Sequence, residues 1–396
     1  MTTLAPGSPA RRTDRATLAL HGGQPVTTSK IPFVAAGLAP EDIDAATAVL
    51  RSGMLRQGKK SDEFEKRFAA MTDAALALTC ANGTCALQLA YEPLTNPGDE
   101  VLVPAWSYIA TASMVVARGA TPVFCDADPT TYQIDLADAE RRITPRTTAI
   151  APTHLYGGPV DIDAVQRLAA KHHLRVVYDA AQAHLARWKG RGIGAFGDAV
   201  TYSFYATKNI STGEGGMVTV NDPGLARQIG LLRSHGETGK YLHEHIGFNY
   251  RMTDVEAAIG LSQLDRAEAI TKARQANAAA LDRLIAQIPG LAAPAVTPGG
   301  EHVYHQYAVR MEAGAFACDR DTFIRALDAE GVSCAVHYPR ALTQQPAFNR
   351  FITDHPPVAE RLAGCLFCIP VHQRLTAADI TTIGEALAKV AAAFHA

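Results

Sequence analysis

Apolar and polar positions along the chain follow two alternating periods. Short, continuous apolar runs recur at residues 75–79, 101–104, 122–126, 149–153, 176–179, 200–205 and 217–220. Most are separated by amphipathic helical patterns at 84–92, 109–118, 136–143, 162–172 and 224–234. Two further helices are expected before them, at 40–51 and 61–71. Strands alternating with helices predict an α/β fold with a mostly parallel sheet, and unbroken apolar strands predict helices covering both faces.

A single long helical pattern then spans about 253–287. Pro289, Pro294, Pro298, Gly299 and Gly300 interrupt it and mark the best domain boundary. Beyond it come strands at 304–311 and 333–337 and helices at 320–330 and 377–394, a smaller C-terminal α+β unit. The expected organisation is an N-terminal arm over 1–30, rich in Ala, Pro, Thr and Arg and partly disordered, a large domain over 31–288 and a small domain over 289–396.

Composition narrows the function classes. With 37 basic and 39 acidic side chains the net charge is -2, so bulk charge draws the protein to neither nucleic acid nor an anionic membrane. No run approaches the ~18 apolar residues of a membrane span. Arg11 and Arg12 are not followed by an apolar stretch, which argues against a secretory signal. Seven cysteines, an odd number, suggest free thiols in a reducing compartment; the expectation is a cytoplasmic enzyme.

Four local features carry candidate chemistry. Asn82-Gly83-Thr84 lies between a strand and a helix, where free N–H groups and the helix dipole suit a phosphate; an ordinary strand-to-helix turn explains it as well. Asp179, in Tyr178-Asp179-Ala180-Ala181-Gln182-Ala183-His184, ends a buried strand, the place where open α/β sheets bind ligands. A carboxylate buried there needs a cationic partner, such as a protonated pyridine nitrogen, unless it merely caps the next turn. Lys208, in Ser203-Phe204-Tyr205-Ala206-Thr207-Lys208-Asn209, follows another such strand; desolvation would free its amine for a carbonyl, although a lone lysine there is commonly solvated. Thr212-Gly213-Glu214-Gly215-Gly216 would let backbone approach a neighbour closely, or would form a plain turn.

Taken in order with Phe248-Asn249-Tyr250-Arg251-Met252, these segments resemble the DegT/DnrJ/EryC1/StrS sugar aminotransferases, as do residues 98–104, 119–124 and 154–157. The resemblance covers about residues 30–390. It implies a fold-type-I transferase dependent on pyridoxal 5'-phosphate, working as a homodimer with its site at the subunit interface. Lys208 would hold the cofactor as a Schiff base and then move the substrate proton. Asp179 would pair with the pyridinium nitrogen. Tyr108 would stack on the ring, and Gln182 would sit near its oxygen. Gly83, Thr84, Cys85 and Ser203 would hold the phosphate, and Asn249 would reach it from the other subunit. Arg251 would take the donor carboxylate or form a structural pair; His337 and Tyr338 would border the acceptor. Glutamate or glutamine would give its amino group to a keto-sugar, usually nucleotide-linked. The start of the chain, residues 18–26, is similar instead to some keto-cyclitol enzymes of aminoglycoside pathways. A cofactor-binding regulatory protein without turnover is a further reading, opposed by the presence of Lys208, Asp179 and Ser203.

Two other motifs are set aside. The G-x-G-x-x-G pattern at Gly192–Gly197 precedes a strand rather than following one, so a tight loop is expected there and not a dinucleotide site. Cys365-Leu366-Phe367-Cys368 has no second pair, so core packing is expected, and no metal site is foreseen.

Overall fold

The structure, a computed structural model, describes residues 17–35 and 37–396. The first sixteen residues of the expected arm lie outside the described residues. A seven-stranded sheet forms its centre: β1 (Leu76–Cys80), β2 (Glu100–Pro104), β3 (Thr121–Cys125), β4 (Thr147–Ile150), β5 (Arg175–Asp179), β6 (Ala199–Ser203) and β7 (Gly216–Val220). In space the order is β1-β7-β6-β5-β4-β2-β3, with β7 antiparallel to both neighbours and all other pairs parallel. The fold is the expected α/β one, a mostly parallel sheet between helices.

Every residue of β2, β6 and β7 is buried, which accounts for their unbroken apolar runs. Helices α1 (Pro40–Ser52), α2 (Lys59–Met71), α3 (Gly83–Leu94), α4 (Ala110–Ala117), α5 (Leu136–Arg141), α6 (Ile162–His172) and α7 (Pro223–Arg233) flank the sheet. Side-chain caps begin several of them: Asn82 on α3, Asp135 on α5, Asp161 on α6 and Asp222 on α7. On one face Phe64 and Phe68 of α2 are fully buried, and the Phe68 ring meets Tyr202 edge-on at 4.9 Å. Burying one such ring stabilises by about 1.5–3 kcal/mol.

The long helical pattern at 253–287 resolves into α8 (Asp254–Leu264) and α9 (Ala267–Ile285). The break falls on Asp265 and Arg266, whose side chains pair with Arg67 on α2 and Asp42 on α1. The apolar face continues across it, so periodicity alone does not reveal it. A third apolar core gathers Ala278, Leu281 and Ile285 of α9 with Tyr307, Phe323, Phe367, Leu387 and Val390. Leu18 and Ile31 join that core. Glu330, fully buried, accepts from the main-chain N–H groups of Ala19 and Val26 and pairs with Lys389. The described part of the arm is thus held on the C-terminal core.

The strand expected at 333–337 makes only one bridge, Ala335 to Cys368. Cys368 itself lies in a buried strand, Leu366–Ile369, that pairs with Tyr307–Met311. The glycines of 192–197 form a short hairpin and turn packed on the end of α2, where a Cβ on Gly192 would stand 2.4 Å from the Thr72 carbonyl oxygen.

Candidate active site

Strand direction assembles the site. β5 and β6 end at Asp179 and Ser203, β1 ends at Cys80, and β7 begins at Gly216, which is level with both Cys80 and Ser203. These ends share one edge of the sheet.

Asp179 is fixed at every polar atom. Its main-chain N–H donates to the Pro152 carbonyl at 2.9 Å, and its own carbonyl accepts from His154 N at 2.8 Å. One carboxylate oxygen accepts from the Ala181 N–H at 3.0 Å, the other from the Thr111 hydroxyl at 2.6 Å. Because the Thr111 proton is committed to Asp179, Ser107 must donate to Thr111 (3.0 Å) and Thr153 to Ser107 (2.9 Å). Three buried hydroxyls therefore point their dipoles in sequence toward one carboxylate. Burial pushes the Asp179 carboxyl above the usual range, against the Thr111 and Ala181 hydrogen bonds and the positive charge of Lys208.

Lys208 rides on the loop after β6. That loop is tied down by Phe204 N to the Gly215 carbonyl, Thr212 N to the Phe204 carbonyl and Lys208 N to the Tyr205 carbonyl. The Asn209 side chain anchors it from below by donating to the Val303 carbonyl at 3.1 Å. Desolvation of the Lys208 amine lowers its pKa to about 8, although the Asp179 charge acts to raise it. At pH 7 roughly a tenth of such amines are neutral, against below about a thousandth for an ordinary lysine.

Gln182 accepts from Tyr156 N at 2.6 Å and donates to the Tyr338 hydroxyl at 2.9 Å, so its amide is clamped from both sides. Tyr156 has φ 59° and the next residue, Gly157, φ 102°. A Cβ on Gly157 would meet Val303 at 2.9 Å and the Gln182 carbonyl oxygen at 3.0 Å, so glycine lets this turn lie against Gln182. The Tyr156 hydroxyl donates to the His337 carbonyl. Tyr338 also meets Trp106 and Tyr108, with ring centres 6.1 and 6.0 Å away. Tyr108 is 57% exposed, its face open. Burial and the Lys208 charge bring the His337 ring down to about 4.

A second group lies at the start of α3. Asn82 caps the helix by accepting from Cys85 N at 2.9 Å, so that N–H, expected to face a phosphate, is engaged within the chain. Thr84 is exposed. A Cβ on Gly83 would stand 2.6 Å from Cβ of Ser203; glycine lets the helix N-terminus approach the Ser203 hydroxyl. The two groups fit pyridoxal 5'-phosphate in their donor sets: amine and carboxylate at one side, helix N-terminus and hydroxyl at the other.

No hydrogen bond joins Asn249 or Arg251 to either group, although Tyr250 between them accepts from Ala81 N at 2.8 Å and donates to Gln88 of α3 at 2.8 Å. Asn249 is exposed and bridges to Ser234. Arg251 is half-buried and makes no hydrogen bond or ion pair with any described residue. Thr111 at the start of α4, Ser107 just before it and Thr153 carry no signal in the sequence, since isolated hydroxyls have no periodicity of their own.

The family model of the DegT/DnrJ/EryC1/StrS aminotransferase family matches residues 37–388. The chain is 42% identical over 333 residues to GDP-perosamine synthase of Caulobacter vibrioides, covering 83% of this chain and 89% of that protein. It is 40% identical over 357 residues to dTDP-3-amino-3,4,6-trideoxy-alpha-D-glucose transaminase of Streptomyces venezuelae, covering 88% and 93%. Among solved structures it is similar to Spr1654 of Streptococcus pneumoniae in a PMP form, with TM-score 0.87 at 28% identity over 91% of this chain and 98% of that one.

Proposed function

The chain belongs to the DegT/DnrJ/EryC1/StrS aminotransferase family and is a pyridoxal-phosphate-dependent aminotransferase; we propose that it moves an amino group from glutamate or glutamine to a nucleotide-linked keto-sugar. The observation that carries the reading is the meeting of a desolvated Lys208 amine with a buried, fully oriented Asp179 carboxylate at one sheet edge. The nucleotide-linked acceptor is supported by relatives named for GDP- and dTDP-linked sugars. The keto-cyclitol reading rests on residues 18–26, whose hydrogen bonds run to Glu330 and Lys389 rather than into the cleft.

When bound, the cofactor supplies an electron sink that stabilises negative charge at the carbon losing a proton. The chain's residues do the rest. Lys208 Nζ, neutral in a useful fraction, would hold the cofactor through its carbonyl carbon, and as a free amine would take the donor's α-proton and return a proton in the next step. Asp179 would keep a proton on the ring nitrogen, and the hydroxyl chain through Thr111 fixes the orientation of its carboxylate. Gly83, Thr84 and Ser203 bind the phosphate at the helix N-terminus, with Cys85 contributing through the capped turn rather than a free N–H. Gln182 and Tyr108 orient the ring, and His337 and Tyr338 border the acceptor. Keto acid leaves before the ketone binds, a ping-pong sequence. The enzyme acts as a homodimer in which Asn249 reaches the phosphate of the partner's site and Arg251 takes the donor carboxylate or forms a structural pair at the interface. No helix among the described residues is long and apolar enough to cross a membrane; we place the enzyme in the cytoplasm with other consumers of nucleotide sugars.

The test is a visible spectrum of purified protein, wild type beside Lys208→Ala, before and after glutamate. Wild type should carry a visible band that glutamate bleaches, and the variant should not respond. Wild-type protein that stays colourless after incubation with pyridoxal phosphate would remove the assignment. Adding keto forms of a nucleotide sugar or a cyclitol to the bleached enzyme, and following return of the band, decides the acceptor.

A further inference from the structure

Behind Lys208 lies a cavity of about 160 Å³ between the large domain and the C-terminal core. Thr207, the residue before Lys208, lines it together with Arg274, His305, His337 and His372. Arg274 lies on α9 and is 6% exposed. Its guanidinium donates through one nitrogen to the carbonyls of Tyr304 (2.9 Å) and His305 (3.3 Å). No carboxylate among the described residues pairs with it. Its Nε is buried without a partner, and so are Nδ1 of His337 and Nδ1 of His372, both on the same cavity.

A buried guanidinium lacking a counter-ion is costly, and so is each orphaned polar atom. Three such atoms around one small space mark a site prepared for a polar guest. Burial holds His305, His337 and His372 in their neutral forms. The cavity therefore presents one positive charge, from Arg274, with imidazole nitrogens around it. That pattern suits a single carboxylate, which accepts from a guanidinium through both oxygens.

We propose that this cavity takes the α-carboxylate of the amino donor on Arg274, with His337 and His372 as additional hydrogen-bond partners, and so sets the donor amine beside Lys208. The inference rests on the aminotransferase reading and deepens it: an α-carboxylate is common to glutamate and glutamine, so this subsite recognises an amino acid as such.

The two half-reactions separate the roles. Arg274→Met and Arg274→Lys are compared with wild type in single-turnover reaction with glutamate, and in equilibrium binding of glutarate, which has carboxylates but no amine. Val34→Trp adds bulk to the lining of the same cavity while leaving the Arg274 side chain itself unchanged. Each change should weaken glutarate binding and raise the glutamate concentration for half-maximal rate by roughly 10–100-fold. Reaction of the aminated enzyme with the keto acceptor should fall far less than the glutamate half-reaction does. A folded Arg274→Met protein that binds glutarate and uses glutamate as wild type does overturns the proposal. Should Arg274→Met fail to fold, because it also holds two carbonyls, Val34→Trp decides on the same two readings. Wild-type protein that binds glutarate through Arg274 yet transaminates nothing would count against the enzyme reading and leave the subsite standing.

Discussion

At the cleft edge every polar atom of Asp179 is engaged, its hydroxyl partners are buried, and Lys208 sits on a loop tied at three main-chain hydrogen bonds. The segment between α7 and α8 is built the opposite way. Tyr241 is 83% exposed, Leu242 56% and Ile246 90%, and Arg251 makes no hydrogen bond or ion pair among the described residues. Gly236 and Gly247 pack tightly at its base, and Phe248 stacks on Tyr250 at 4.6 Å, so it is an anchored projection. One region satisfies itself within the chain; the other presents apolar area and an unpaired cation outward. The cleft holds chemistry that a single chain assembles, whereas the projection leaves apolar side chains exposed, the surface that the proposed homodimer would cover.

The sharpest way to break this comparison is at Lys208. Lys208→Ala should lower the glutamate half-reaction by at least about 10³-fold, read from loss of absorbance, while far-ultraviolet circular dichroism stays unchanged. Asp179→Asn should cost on the order of 10²–10³-fold, because the amide keeps the Thr111 contact but cannot hold a proton on a ring nitrogen. If Asp179→Asn were harmless, the oriented hydroxyl chain would be packing and nothing more.

The lowered Lys208 pKa gives a prediction with a definite sign. The neutral amine is the nucleophile, so capture of pyridoxal phosphate by apoenzyme should speed up as pH rises and level off above about 8. An unperturbed lysine would keep accelerating to near 10.4. Stopped-flow absorbance across pH 6–10 reads the midpoint directly.

The projecting segment is tested by Ile246→Asp. If a partner covers this side chain, the change removes about 1.5–3 kcal/mol of burial per copy and should weaken dimerisation by roughly 10²–10⁴-fold. Sedimentation velocity over a dilution series checks it. Monomeric wild-type protein, or an unaltered dimer in the variant, would separate the exposed apolar area from assembly.

The same contrast explains what could be read from the sequence. The alternation of β1 to β7 with their helices is local: each strand is a continuous apolar run, and each helix starts at a cap and carries its own period. Lys208 and Asp179 stand out because Asp179 ends one such run and Lys208 lies a few residues beyond another. Thr111 and Thr153 do not, since the former is 68 positions from Asp179 and the latter 46 from Ser107, and threonine is ordinary in either setting. Arg274 is invisible for a related reason. It sits in a helix among Lys272, Gln275 and Asn277, and reads as a solvated face until the C-terminal core closes over it. The α8–α9 break is hidden because the apolar stripe crosses it without a change of phase.

The smallest effect should come from Thr111→Val, a change of similar volume that leaves Asp179 in place but removes the hydroxyl nearest it. The Ser107 hydroxyl then loses its acceptor, and the carboxylate loses one charge-assisted bond of 2.6 Å, worth about 1.5–3 kcal/mol at most. Part of that returns when the ring nitrogen carries the proton, because the ion pair survives. The turnover should therefore drop by about tenfold or less, with pyridoxal phosphate still retained. The sign of the Asp179 shift gives a second reading: the Thr111 bond favours the charged carboxylate, so without it the carboxyl pKa moves up and the acid limb of the pH–rate profile moves to higher pH. A variant whose rate falls but whose acid limb stays put would mean that Thr111 positions Asp179 without tuning its charge.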